Sequence, residues 1–325
     1  MASDWDYIYA VARIRVLETR LLSDTDVSTM AGLKDAAAVV AYLKDKGWGD
    51  ASTQGKDPEA MLAAEERKTW ALMKELGVDF SVFDVLSFPN IYHNLKTGIK
   101  EICTSGNHPE AFYADDKYDR DEMLRILRDK DYAALPEHMR ACVAPAYEAM
   151  LTGRDGQLCD VIVDRACLEA IEAAGKKSKY KVIRDYAESQ VAVTDIKIAV
   201  RGAKTKKSLD FLMKAIAPCR AFDGRGLAQA AFQGEDTLMD YLTASGFAEA
   251  AEALKKSYSA FERWCDDRMI RSIKPQKYEI MSVGPLAAYV LARLNEIKTA
   301  RILITGKANH LPENEIRERT REMYV

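Results

Sequence analysis

Three five-residue segments of this chain match at a constant interval, and that repeat restricts the fold more than any other feature. They are Tyr-His-Asn-Leu-Lys at 92–96, Val-Thr-Asp-Ile-Lys at 193–197 and Leu-Asn-Glu-Ile-Lys at 294–298. Asn94, Asp195 and Glu296 follow one another at 101 residues each time. Tyr92, Val193 and Leu294 form one apolar column, and Leu95, Ile196 and Ile297 form a second. Gly98, Ala199 and Ala300 are all small. Columns three residues apart lie close to one helix face, so each segment presents a packing stripe. A second marker repeats upstream: Glu66-Arg67, Asp164-Arg165 and Asp267-Arg268 precede the three lysines by 29, 32 and 30 residues. Each pair is read as opening a long helix.

Repeated units cannot bury their apolar faces alone and pack against their neighbours. Three units of 101 residues leave 22 of the 325 for a leading helix. The expected organisation is an N-terminal helix at 1–22, helical module 1 at 23–106, module 2 at 107–207, and module 3 with a C-terminal helical tail at 208–325. Three like modules that pack alike tend towards a ring or wedge with pseudo-threefold symmetry. Lys96, Lys197 and Lys298 would repeat around that axis, either lining a central concavity or lying outside as solvated charges, and the outside is favoured because Lys is rarely buried without a partner.

The local patterns are helical. Ser3 with Asp6 is a capping pattern, and Tyr7, Val11, Ile14, Leu17 and Leu21 follow at helical spacing. The polar cluster Ser23-Asp24-Thr25-Asp26 ends that helix. A shorter amphipathic segment spans 33–46 and stops at Gly47. Residues 78–86 are ambiguous, being partly β-branched and followed by Pro89. Gly284-Pro285 starts a helix with the stripe Leu286, Val290, Leu294, Ile297 and Ile304. A last helix begins at Leu311-Pro312-Glu313, with Glu313 and Glu315 early and Arg317, Arg319 and Arg321 late, the order that suits the helix dipole. Only 9 Pro and 17 Gly punctuate the chain. No β-alternation of six or more residues is bounded by turn chemistry, so the fold class is all-α.

Chemistry-bearing motifs are missing. Gly306-Lys307 is preceded five residues earlier by Arg301 rather than Gly, and Ala308 stands where a phosphate loop needs Ser or Thr. His93, His108, His138 and His310 do not pair at metal-ligand spacing. The acid pairs Asp115-Asp116 and Asp266-Asp267 point to different faces on a helix. Cys103, Cys142, Cys159, Cys167, Cys219 and Cys265 contain no CxxC, and no apolar leader precedes them. Reduced thiols in a cytoplasmic protein are therefore expected. The net charge of −3 is not that of a nucleic-acid binder, and Lys204, Lys206 and Lys207 read as a solvated loop. The uncharged run at 280–292 is too short to span a bilayer, which needs about 20 apolar residues. No catalytic, cofactor-binding or metal-ligating residues and no cofactor are assigned.

The two ends carry a family resemblance. The opening Tyr7-Ile8-Tyr9-Ala10-Val11-Ala12-Arg13-Ile14-Arg15, continuing to Leu21-Leu22-Ser23, resembles the start of the C subunit of the V/A-type ATPases, called the d subunit in eukaryotes. So does the close: Ile302-Leu303-Ile304-Thr305-Gly306-Lys307-Ala308-Asn309-His310-Leu311-Pro312, then Ile316 to Arg319 and Arg321-Glu322-Met323-Tyr324-Val325. The middle segments 92–96 and 195–201 resemble its repeated internal helix. One departure is His310, where that family has glycine. The resemblance implies an all-α funnel of three similar domains at the cytoplasmic face of the membrane, peripheral and without direct membrane insertion. Its partners would be the central axle subunits and the membrane rotor ring. It would transmit torque for proton or sodium transport without an active site. Two other classes remain open on the residues alone. One is an α-solenoid scaffold with other partners, whose units are usually 30 to 50 residues. The other is an all-α enzyme with an unrecognised site.

Overall fold

A computed structural model describes residues 4–53, 55, 57–113, 115 and 117–325. Helix makes up 77 % of the chain, and the described residues contain no strand. The helices in chain order are α1 (Asp4–Glu18), α2 (Asp24–Ala31), α3 (Ala36–Asp45), α4 (Pro58–Glu75), α5 (Asp84–Thr104), α6 (Arg120–Asp129), α7 (Glu137–Gly153) and α8 (Gly156–Lys177). They continue as α9 (Lys181–Lys204), α10 (Leu209–Ala215), α11 (Gly224–Gln233), α12 (Glu235–Ala244), α13 (Ala248–Lys256), α14 (Tyr258–Ile273), α15 (Gly284–Ala308) and α16 (Glu313–Arg319). Two compact units result. One comprises Met1–Val82, Tyr180–Ile183 and Phe247–Val325, and the other Phe83–Lys179 and Arg184–Gly246.

Short polar side chains set the helix starts. Asp35, Asp57, Asp119, Asp155, Ser208, Asp223 and Ser257 each stand just before a helix and accept a hydrogen bond from one of its first backbone N–H groups. Each satisfies a donor that the helix itself leaves unpaired, worth about 1 kcal/mol. Ser23 and Asp26 form a reciprocal capping box on α2. The cluster Ser23-Asp24-Thr25-Asp26 therefore starts a helix instead of ending one, since α1 has already stopped at Glu18. The Ser3–Asp6 capping pattern lies outside the described residues.

In the first unit α15 is central. It packs on α4, α3, α1, α14 and α16, and 18 of its 25 residues are buried. A helix buried on nearly every side has no polar stripe to read. The core around it joins Leu22, Val27 and Met30 to Leu43, Met61, Ile297, Leu303, Ile316 and Met323. In the second unit α5, α7 and α8 pack on one another, with α6 against α5 and α10 against α8. The ambiguous stretch at 78–86 is a short 3₁₀ turn leading into α5, and Pro89 lies within that helix. Burial of Val85, Leu86, Phe88 and Ile91 holds the helix across the proline, a packing gain that outweighs local preference.

The repeat markers land on like elements. Segments 92–96, 193–197 and 294–298 lie on the long helices α5, α9 and α15, and the acid–arginine pairs lie on α4, α8 and α14, the helix before each. The pairs occupy the middle of those helices instead of opening them. The true starts are the capping residues Asp57, Asp155 and Ser257. The small column Gly98, Ala199 and Ala300 is buried in all three copies.

Candidate functional site

Asn94, Asp195 and Glu296 are the most deeply buried polar side chains of the repeat, at 0 %, 0 % and 2 % exposure. Each holds the stretch of chain that leads into a short helix. Asn94 accepts from the Tyr113 N–H at 2.8 Å and donates to the carbonyls of Tyr113 and Tyr118 at 2.9 and 3.0 Å, just ahead of α6. Asp195 accepts from the Ala217 N–H at 3.0 Å, ahead of α11. Glu296 accepts from the Leu22 N–H, ahead of α2. A buried polar group without partners would cost about 1–3 kcal/mol, so these contacts also fix where each stretch lies.

The three differ in charge management. Asn94 is neutral. Glu296 shares Arg293 with Glu65, at 2.5 Å to each, and the Arg293 guanidinium lies 4.9 Å from the Trp48 ring centroid. Glu65 also accepts from the Gly49 N–H at 2.8 Å. Burial pushes the Glu296 carboxyl up to about 7, against the opposing pull of Arg293 and the Leu22 N–H. Asp195 has no cation in contact, and burial pushes it up to about 8, opposed by the Ala217 N–H and by Arg165.

The C-terminal motif has a structural cause. After α16 the chain runs extended, yet Met323 and Tyr324 are buried. Asp266 accepts from Arg321 at 2.7 Å, and Asp267 accepts from the Glu322 N–H at 2.7 Å. Asn295 donates to the Glu322 carbonyl at 3.0 Å, and the Glu322 carboxylate meets Arg271 at 2.7 Å and Lys274 at 2.5 Å. The Met323 N–H donates to Asp24 at 2.9 Å. The adjacent acids 266 and 267 thus form a clasp on the tail, and Arg321 belongs to that clasp rather than to the last turn of α16. Pro312 stands one residue before α16. His310 has φ +54°, the left-handed region where glycine costs least.

Other sequence candidates are structural. Gly306 and Lys307 lie within α15, where the backbone is helical instead of looped around a phosphate. His93 bonds the Ala111 carbonyl at 2.9 Å, and the His138 ring packs tilted against Phe88 with centroids 4.3 Å apart. All six cysteines are free thiols. Among the described residues no three His, Cys, Asp or Glu side chains converge as a metal site. The lysine column is not uniformly solvated: Lys96 is only 19 % exposed and pairs with Asp164 at 2.7 Å, whereas Lys298 is 45 % exposed and pairs with Asp266 at 2.6 Å. Lys197 is half-buried. The exposed apolar side chains of the first unit include Tyr278, at 87 %, with Ile280 and Met281 beside it. Arg15 anchors that segment through the carbonyls of Gln276 and Glu279 at 2.7 and 2.6 Å.

The C subunit of a V-type sodium ATPase of Enterococcus hirae is 22 % identical over 273 residues, which covers 83 % of this chain and 83 % of that protein. The profile of the ATP synthase (C/AC39) subunit family matches residues 10–319, reaching from α1 to the end of α16 and so taking in all three latch residues. On that match the chain belongs to the ATP synthase (C/AC39) subunit family, the C subunits of the V/A-type ATPases.

Proposed function

We propose that this protein is the non-catalytic socket of the central stalk, coupling the axle subunits to the membrane rotor ring so that torque passes between them during proton or sodium transport. The observation that carries the reading is the family match over residues 10–319. The reading includes a leading helix at 1–22 and three modules at 23–106, 107–207 and 208–325 about a pseudo-threefold axis. It is supported by one placement recurring on α5, α9 and α15, a buried polar side chain that latches a backbone stretch by accepting its N–H. It places the protein peripherally at the cytoplasmic face. Consistent with that, no helix among the described residues is long and apolar enough to cross a membrane.

A coupler does no chemistry, so its grip must come from surface. One exposed ion pair contributes only about 0–1 kcal/mol. Buried apolar area contributes roughly 25 cal/mol per Å². Distributed apolar contact, of the kind Tyr278, Ile280 and Met281 can offer, therefore outweighs any single charge. The test is reconstitution of the axle pair, the ring and the catalytic head with and without this chain. Omission should abolish ion transport driven by ATP while the head still hydrolyses it. Transport that proceeds unchanged without the chain would refute the socket role.

A further inference from the structure

The middle latch is built differently from the other two. At the matching position Asn94 uses an amide that both accepts and donates, and Glu296 uses a carboxylate neutralised by Arg293. Asp195 is fully buried, and only its Oδ1 has a hydrogen bond, from the Ala217 N–H at 3.0 Å. Its Oδ2 has no hydrogen-bond partner among the described residues.

The charged groups around it are committed elsewhere. From α8, Arg165 donates to Glu169 at 2.8 Å and to the carbonyls of Met213 and Lys214 at 2.8 and 3.2 Å. Glu172, also on α8, lies 3.1 Å from Lys176 and 3.6 Å from Arg220. On α10, Lys214 pairs with Asp210 at 2.8 Å. The neighbouring Cys219 is held neutral, its thiol pushed up to about 11 by burial. An ionised Asp195 would be a buried charge stabilised by one N–H, which is the costly arrangement.

We propose that Asp195 is a proton-dependent latch, which holds the stretch around Ala217 to α9 as a neutral acid and lets it go when it loses its proton to solvent. The carboxyl is pushed up to about 8 by burial, so the switch falls in mildly alkaline conditions. The folded protein binds this proton more tightly than the unfolded chain, whose carboxyl titrates at the ordinary aspartate value of 3.8. The stabilising contribution is therefore complete below about pH 4, declines as pH rises to about 8, and levels off above that, where both states are ionised. Asn94 at the matching position does not titrate, and Glu296, also raised, to about 7, ionises against its guanidinium partner Arg293 instead of alone. The inference stands apart from the proposed socket role, since it concerns one side chain and one backbone segment.

The test compares the full-length chain with Asp195→Asn by infrared spectroscopy, thermal melting and amide hydrogen exchange. The difference spectrum of wild type minus Asp195→Asn should show a protonated carboxylic-acid band at about pH 6 that bleaches through about pH 8, set apart from Glu296, which ionises at about 7 in both. The melting temperature of Asp195→Asn should exceed that of the wild type by a margin that widens from about pH 4 to about pH 8 and then stays constant. Protection of the Ala217 amide, relative to distant amides, should fall about tenfold between about pH 7 and about pH 9 in the wild type and hold in the variant. No acid band at about pH 6 in that difference spectrum, or a melting margin that does not depend on pH, overturns the proposal. Should Asp195→Asn fail to fold, the Ala217 protection in the wild type still decides it.

Discussion

Glu296 accepts a hydrogen bond from the backbone N–H of Leu22, which lies 274 residues earlier in the chain. Two residues further on, Asp24 receives the N–H of Met323 at 2.9 Å. The segment at 22–24 is thus tied to α15 through the buried Glu296 and to the tail through the exposed Asp24. Arg293 sits between Glu296 and Glu65, and Glu65 also pairs with Lys68 at 2.7 Å, so two cations serve the two acids beside a largely apolar core.

Removing Arg293 is predicted to be the most damaging single change in the first unit. Arg293→Ala leaves the buried Glu296 carboxyl without its cation and Glu65 with Lys68 alone, a loss of about 3–5 kcal/mol. Glu296→Gln keeps an acceptor for the Leu22 N–H and should cost less than half as much. Urea unfolding of the two variants checks the order, and an Arg293→Ala loss below about 1 kcal/mol would contradict it.

Gly306 is predicted to resist even alanine. A Cβ there would stand 2.9 Å from Cγ1 of Ile316, which is fully buried. The gain in helix propensity is about 1 kcal/mol, while overpacking a dense core costs about 1–3 kcal/mol. Gly306→Ala should therefore be neutral to destabilising, by up to about 2 kcal/mol. Adding Ile316→Ala, which clears the space, should remove the strain part of that loss, and a double-mutant cycle reads the coupling.

His310→Gly is predicted to stabilise. The residue has φ +54°, and an L side chain in that region costs about 1–2 kcal/mol. Glycine's extra freedom in the unfolded chain returns part of this, leaving a gain of about 0.5–1 kcal/mol. Asn309→Gly is the control, because Asn309 has φ −89° and gains nothing. Equal effects at the two positions would show that backbone conformation is not the cause.

Acid should loosen the start of α2 through Asp26. Burial pushes its carboxyl up, but hydrogen bonds from Lys46 at 2.6 Å, Tyr42 at 2.6 Å and the Ser23 N–H at 2.9 Å together hold it well below the usual carboxylate range. Because the folded group titrates lower than the unfolded one, its contribution is present above about pH 4 and is lost as pH falls further. Asp26→Asn is predicted to cost about 1–2 kcal/mol at neutral pH. That difference from the wild type should shrink steadily below about pH 4, as melting curves across the acid range would record.

The sequence alone determined the helical class and the repeat. A periodic apolar stripe needs only its neighbours in the chain to be read, so the faces carrying Leu95, Ile196 and Ile297 and the start of α15 at Gly284 are legible. The cluster at Ser23 to Asp26 is legible as polar, but α2 behind it is only eight residues long, too short for its own stripe to announce a helix. What only the tertiary structure decided are the pairings: Glu296 with Leu22, Asp266 with Arg321, Lys96 with Asp164. The first two span 274 and 55 residues. Separation along a chain carries no information about approach in space, and the worth of a charge depends on the burial that approach creates. The sequence could place Asn94, Asp195 and Glu296 in one column. Only folding made the first a neutral anchor, the second an acid without a cation, and the third a partner to Arg293.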